Sequence, residues 1–182
     1  MDPRHAVLVA VQEEAPEGLV GRTLLQKKLY FASVVVGQDM GFRPYYYGPY
    51  SQQVADATDS LVSNRFLAEQ IDIFPDTNIF GERRRHSYKL TGDGNQVLQS
   101  MADDPEVAVW RDALRRINEH SFATDFNLLS IAAKVKTILR EAGEATVDEI
   151  IKRAEEYDWK LSRDEIVRVW NFLEDLGLAR QK

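Results

Sequence analysis

The sequence predicts a mainly α-helical protein with one small β wing: an N-terminal unit of helices closed by a hairpin, and a C-terminal helical unit of helix-turn-helix type. Three observations carry that prediction. Apolar residues recur at spacings of three to four along most of the chain, as at Leu25, Leu29, Ala32 and Val36. The period falls to two around Ile71 and Ile73, the signature of a strand. Thr146 with Glu149 and Ser162 with Glu165 are capping boxes, in which the N3 carboxylate reaches back to the backbone N–H of its cap.

Taken in order, HAVLVAVQEE (residues 5–14) carries Ala6, Val7, Leu8, Ala10 and Val11 on more than one face, the pattern of a short buried helix, and Pro16 and Gly18 end it. GRTLLQKKLYFASVVVG (21–37) is a second helix, with Lys27 and Lys28 placed near its polar edge and Gly37 as its stop. FRPYYYGPY (42–50) holds two prolines and a glycine, which exclude a regular helix and leave a structured connector. Ser51 is a good N-cap for a third helix with Val54, Ala57, Leu61, Val62 and Phe66 on its apolar side. AEQIDIF then reads as a strand, PDTN (75–78) as a turn and IFGERRRHSYKL (79–90) as the returning strand, before Thr91 caps a fourth helix with Val97, Leu98 and Met101. Helix, helix, helix, hairpin, helix is the order of a winged helix, here residues 1–101.

ADDPE (102–106) is a charged, proline-containing boundary, and residues 107–182 form the expected second domain. Its first helix has Val109, Ala113, Leu114 and Ile117 as the inner face, leaving Trp110 beside Arg111, Arg115 and Arg116 on a cationic stripe or a solvated face. Leu128, Ile131, Val135, Ile138 and Leu139 mark the next helix, up to Gly143. The two capping boxes open the last two, which carry Ile150 and Ala154, then Ile166, Val169 and Leu173. Trp170 and Phe172 are two positions apart, about 200° around a helix, and cannot share one core face.

LLQKKLYFA, then FRPYYYGPYS, then a helix and YKLTGDG (88–94), resemble the YwgA-like group of winged-helix proteins and, more distantly, the Panacea domains of SocA-type antitoxins. The resemblance covers residues 5–101 and leaves the C-terminal unit outside it. It implies a winged-helix fold for that part. Kinship with regulators and antitoxins implies an association with DNA or with a protein partner, without choosing between them.

Composition narrows the chemistry. The 182 residues carry a formal net charge of -6, so contact with phosphate must come from a local patch. There is no cysteine, which excludes disulfides, thiolate nucleophiles and Cys-containing zinc sites. His5, His86 and His120 are far apart in sequence, and no HExxH, P-loop, GxSxG or Rossmann glycine pattern occurs, so neither catalysis nor a metal or cofactor is expected. The N-terminal stretch has only a short apolar run before acidic residues, and a cytoplasmic protein without membrane association is expected.

Two functions fit what remains. The first expectation is a DNA-associated regulatory protein. Arg83, Arg84, Arg85 and Lys89 on the wing would hold phosphate, and Gln52 and Gln53 of the third helix, with Arg65 at its end, would reach bases or backbone of double-stranded DNA. Asp56 and Asp59 on that helix oppose it, and strand alternation puts Arg83 and Arg85 on one face with Arg84 on the other. A charged edge strand kept soluble explains the same run. The alternative is a protein-interaction adaptor on the same scaffold, docking through Tyr45, Tyr46, Tyr47 and Tyr50 or through the C-terminal helix pair. Packing across a seam between helices is the expectation for most of those rings. A homodimer is compatible with either function, although no heptad fixes one.

Overall fold

The structure is a computed structural model that describes residues 1–75 and 82–179, without the side chains of Pro75, Glu82 and Arg83. The turn predicted at PDTN and the side chains of Arg83, Arg180 and Lys182 therefore lie outside the described residues. Within them the chain is mainly helical, with a small antiparallel sheet. In order come α1 (Pro3–Gln12), β1 (Leu19–Val20), α2 (Arg22–Val36), α3 (Gln52–Ser63), β2 (Leu67–Pro75), β3 (Glu82–Leu90) and α4 (Gly92–Ser100), then α5 (Pro105–Asn118), α6 (Phe126–Ala142), α7 (Val147–Glu155) and α8 (Arg163–Asp175).

Local chemistry sets the helix starts. Ser51 accepts a hydrogen bond from the Val54 N–H at the head of α3, and Thr91 does the same for Gly94 at the head of α4. Both capping boxes, at Thr146 and Ser162, are formed. Packing then decides which helices are central. All residues from Ala6 to Val11 are buried on α1, as are all from Leu24 to Ser33 on α2. These two helices form the middle of the molecule: α3 and α5 cover α1, while α5 and α6 cover α2. Residues 101–104 link α4 to α5, and one buried apolar cluster runs through the residues on both sides of that link.

The sheet has the order β1-β3-β2. The hairpin predicted from the sequence is present as β2 and β3, in register from Leu67 opposite Leu90 to Pro75 opposite Glu82. The third strand, β1, is an addition to that prediction: Leu19 pairs with Tyr88 and Val20 with Ser87. Gly18 makes this approach feasible. Its φ is +84°, and a Cβ there would lie 2.4 Å from the Tyr88 carbonyl oxygen.

On α5 the inner face differs from the one predicted. Val107, Trp110, Ala113, Leu114 and Ile117 are buried, and Val109 is exposed. The arginines around them are ties to neighbouring elements: Arg111 and Arg115 pair with Glu13, and Arg116 donates to the Asp175 carbonyl at 3.2 Å. Phe172 enters the core, whereas Trp170 is half-buried and donates to Glu174 at 3.0 Å. Among the described residues no helix is long and apolar enough to cross a membrane.

Candidate functional site

The connector between α2 and α3 is a clamped loop that holds Tyr45, Tyr46 and Tyr47 in water. Arg43 and Tyr50 close its base through two backbone bonds, N–H of Arg43 to O of Tyr50 at 3.0 Å and the reverse at 2.9 Å. Inside that closure a turn brings the Gly48 N–H to the Tyr45 carbonyl at 3.0 Å. Gly48 has φ +92° and is pressed so close to α6 that a Cβ would lie 3.3 Å from the Ser130 carbonyl. The Trp159 indole, in the α7–α8 connector, donates to the Tyr45 carbonyl at 2.8 Å. From α2, Lys27 donates to the Pro49 carbonyl at 2.7 Å, and the Gln26 side chain exchanges bonds of 3.0 and 2.9 Å with the Ser51 backbone.

The rings of Tyr45, Tyr46 and Tyr47 project from this frame with relative exposures of 64%, 77% and 64%. This corrects the expectation that most of them pack over a helix seam; only Tyr50 is half-buried, with its ring 5.4 Å from that of Tyr45. The reason is the clamp: Gly48 and Pro49 fill the space against α2 and α6, so the preceding residues have no seam left to cover.

Behind the rings lies a cavity of about 180 Å³, lined chiefly by Arg22, Lys27, Tyr45, Tyr47, Tyr50 and Tyr88. Arg22 donates to the Tyr88 hydroxyl at 3.0 Å and reaches Asp59 and Glu69 at 3.4 Å each. Burial pushes the Tyr88 phenol up to about 12. Lys27 is only 2% exposed and Lys28 1%, so neither occupies the polar edge predicted for it. Thr58 of α3 is buried and donates to the Val54 carbonyl at 2.8 Å. The lysines were legible in principle. Lys27 has Leu24, Tyr30 and Phe31 at helical neighbour positions, and Lys28 has Leu24, Leu25, Phe31 and Ala32.

Burial, with Lys134 adding like charge, lowers Lys27 from 10.5 to about 8. The ammonium is thus disfavoured in the folded chain relative to the unfolded one. Below pH 8 both states are protonated and the fold bears the full cost of the buried charge. Between pH 8 and 10.5 the folded state sheds this proton first, the unfolded state binds more protons, and stability rises with pH. Tyr30 and Tyr88, both raised by burial to about 12, reverse the trend above their ordinary value of 10.0. Urea unfolding is therefore expected to show stability rising between pH 8 and 10, with Lys27 contributing about 2 kcal/mol, and Lys27→Met is expected to reduce the rise to the part supplied by Lys28, Lys134 and Lys136, which burial also lowers. A profile that is level or falling in wild type would contradict the buried charge.

The basic residues predicted for DNA do not form one stripe. Arg84 and Arg85 are exposed towards the outer end of the hairpin, opposite Ile73 and Asp72. Arg85 pairs with Asp72 at 2.9 Å and lies 5.0 Å over the Phe74 ring. Lys89 sits near the hairpin base, opposite Ala68, and Arg65 occupies the left-handed turn before β2, φ 62°. Arg85 and Arg84 are four and five residues along the strand from Lys89, which at about 3.3 Å each puts roughly 13 to 16 Å between these two groups. On α3, Gln52 donates to Asp56 at 2.8 Å and Gln53 lies against Gly41, with Asp56 and Asp59 exposed on the same helix.

No known protein-family model matches this chain, and no curated protein matches it.

Proposed function

We propose that this chain is a non-catalytic protein-interaction adaptor, in which a winged-helix scaffold of residues 1–101 presents the tyrosine loop to a protein partner. One observation carries the proposal: three consecutive tyrosines, each at least 64% exposed, on a backbone fixed from three sides. Rings lose little side-chain entropy when a partner covers them, and a loop already ordered adds little more. Tyrosine is also among the residues that most often anchor protein interfaces. The helix order and the β2–β3 hairpin fit the winged-helix scaffold, with β1 as an added edge strand.

Affinity capture tests this with wild type and a Tyr45→Ala/Tyr46→Ala/Tyr47→Ala variant. The variant is expected to keep the wild-type circular dichroism spectrum, because these side chains leave the core untouched, and to lose at least about tenfold in capture of the partner retained by wild type. Equal capture by both proteins would contradict the proposal.

A second reading, DNA association, is favoured by the exposed Arg84 and Arg85 on the hairpin. Its signature is anisotropy with random-sequence duplex that falls steeply with salt and loses slope in Arg84→Ala/Arg85→Ala. Absence of binding at low salt removes that reading. The acidic face of α3 and the net charge of -6 count against it.

A further inference from the structure

The cavity behind the tyrosine loop has a charge without a counter-charge. Lys27 is almost wholly buried, and among the described residues its ammonium meets one neutral acceptor, the Pro49 carbonyl, and no carboxylate within ion-pair distance. An ammonium has three donors, and a buried charge with neither a counter-ion nor full hydrogen bonding is costly. The neighbouring polar groups cannot help. The Gln26 amide is engaged at both ends by Ser51, and Thr58 donates to the carbonyl of Val54. Asp59 also lines the cavity, and there its carboxylate pairs with the Arg22 guanidinium at 3.4 Å. The unspent hydrogen-bonding capacity on the α2 side of the cavity is thus cationic.

The walls have a complementary shape. Tyr45, Tyr47, Tyr50 and Tyr88 supply ring surface, and Leu25 and Ala55 supply aliphatic surface. A volume of about 180 Å³ exceeds the roughly 150 Å³ of an apolar cavity known to take one benzene ring. We propose that this cavity is a binding site for a small aromatic carboxylate, with the ring between the tyrosine walls and the carboxylate on the Lys27 ammonium. Lys27, lowered to about 8 by burial, is largely protonated at pH 7 and so carries the charge the ligand needs. Tyr45 and Tyr47 serve both proposals, but this one does not rest on the adaptor reading, because its anchor is Lys27 beneath them and it needs no protein partner.

The test titrates the full chain at pH 7 with benzoate and with benzamide, its neutral isostere, followed by calorimetry and by thermal unfolding. Benzoate is expected to saturate at or below ~10 mM, to raise the melting temperature, and to bind at least about tenfold more tightly than benzamide. Lys27→Met, which keeps the stem and removes the charge, is expected to abolish that preference. No binding of either probe to wild type, or equal binding of both, would overturn the site. A preference that survives in Lys27→Met would equally overturn it, since another cation would then be the receptor. The wild-type comparison alone decides the matter should the variant fail to fold. Titration needs no protein partner and capture needs no benzoate, so failure of one proposal is distinguishable from failure of the other.

Discussion

Truncation of Trp110 to alanine is expected to destabilise the protein by about 3–5 kcal/mol, the largest effect of any single side chain considered. Trp110 is the largest wholly buried side chain, on the face of α5 that packs against α1 and α2. Its indole N–H donates to Gln38 Oε1 at 3.1 Å, and the Gln38 amide in turn donates to the Met1 carbonyl at 2.9 Å. The substitution removes the ring, opens a cavity at the meeting of three helices, and takes from Gln38 Oε1 one of its two donors, leaving the Met1 ammonium at 3.1 Å. Urea denaturation followed by fluorescence and by circular dichroism measures it. A single transition shifted to lower urea is expected with both probes, because α5 is part of the same buried cluster as α1 and α2. A loss below about 1 kcal/mol would mean that α5 does not pack as described.

Glu14→Ala is expected to cost about 3 kcal/mol, for a different reason. Lys28 is 1% exposed and pairs with Glu14, while Asn118 of α5 accepts a second bond from its ammonium at 2.8 Å. Burial lowers the Lys28 pKa, and the Glu14 hydrogen bond and charge offset part of that. Removing the carboxylate leaves the ammonium in the interior with only the amide oxygen, whereas removing both charges leaves nothing unpaired. Glu14→Ala/Lys28→Met is therefore expected to recover most of the lost stability. If the double variant is no more stable than Glu14→Ala, the cost lies in lost packing and the ion pair is not its source.

What the sequence made legible was mostly local. Ser51, Thr91, Thr146 and Ser162 cap helices because their partners lie three residues away. The hairpin followed from the change of period at Ile71 and Ile73 and from the return strand before Thr91. β1 was hidden because two residues show no period, and its pairing to Ser87 and Tyr88 is remote along the chain. On α5, Val109 and Trp110 are adjacent, and apolar spacing alone could assign either to the inner face; the positions of α1 and α2 decide for the tryptophan. The tyrosine segment was recognisable as a site candidate from composition. Its exposure was not, because it depends on Trp159, Lys134 and Ser130 of distant elements occupying the space beneath it. The cavity floor was missed through the charge of Lys27, which outweighed the apolar neighbours at i−3, i+3 and i+4.

The central claim is that the tyrosine loop is the surface a protein partner covers. Amide hydrogen exchange on the complex recovered with wild-type bait, compared with the free chain, tests it most directly. Added protection confined to peptides spanning residues 43–50 and the facing Trp159 connector is the result the adaptor reading requires. Unchanged exchange there, with protection gained on α3 and the β2–β3 hairpin instead, would contradict it and move the docking surface to the face first predicted for DNA.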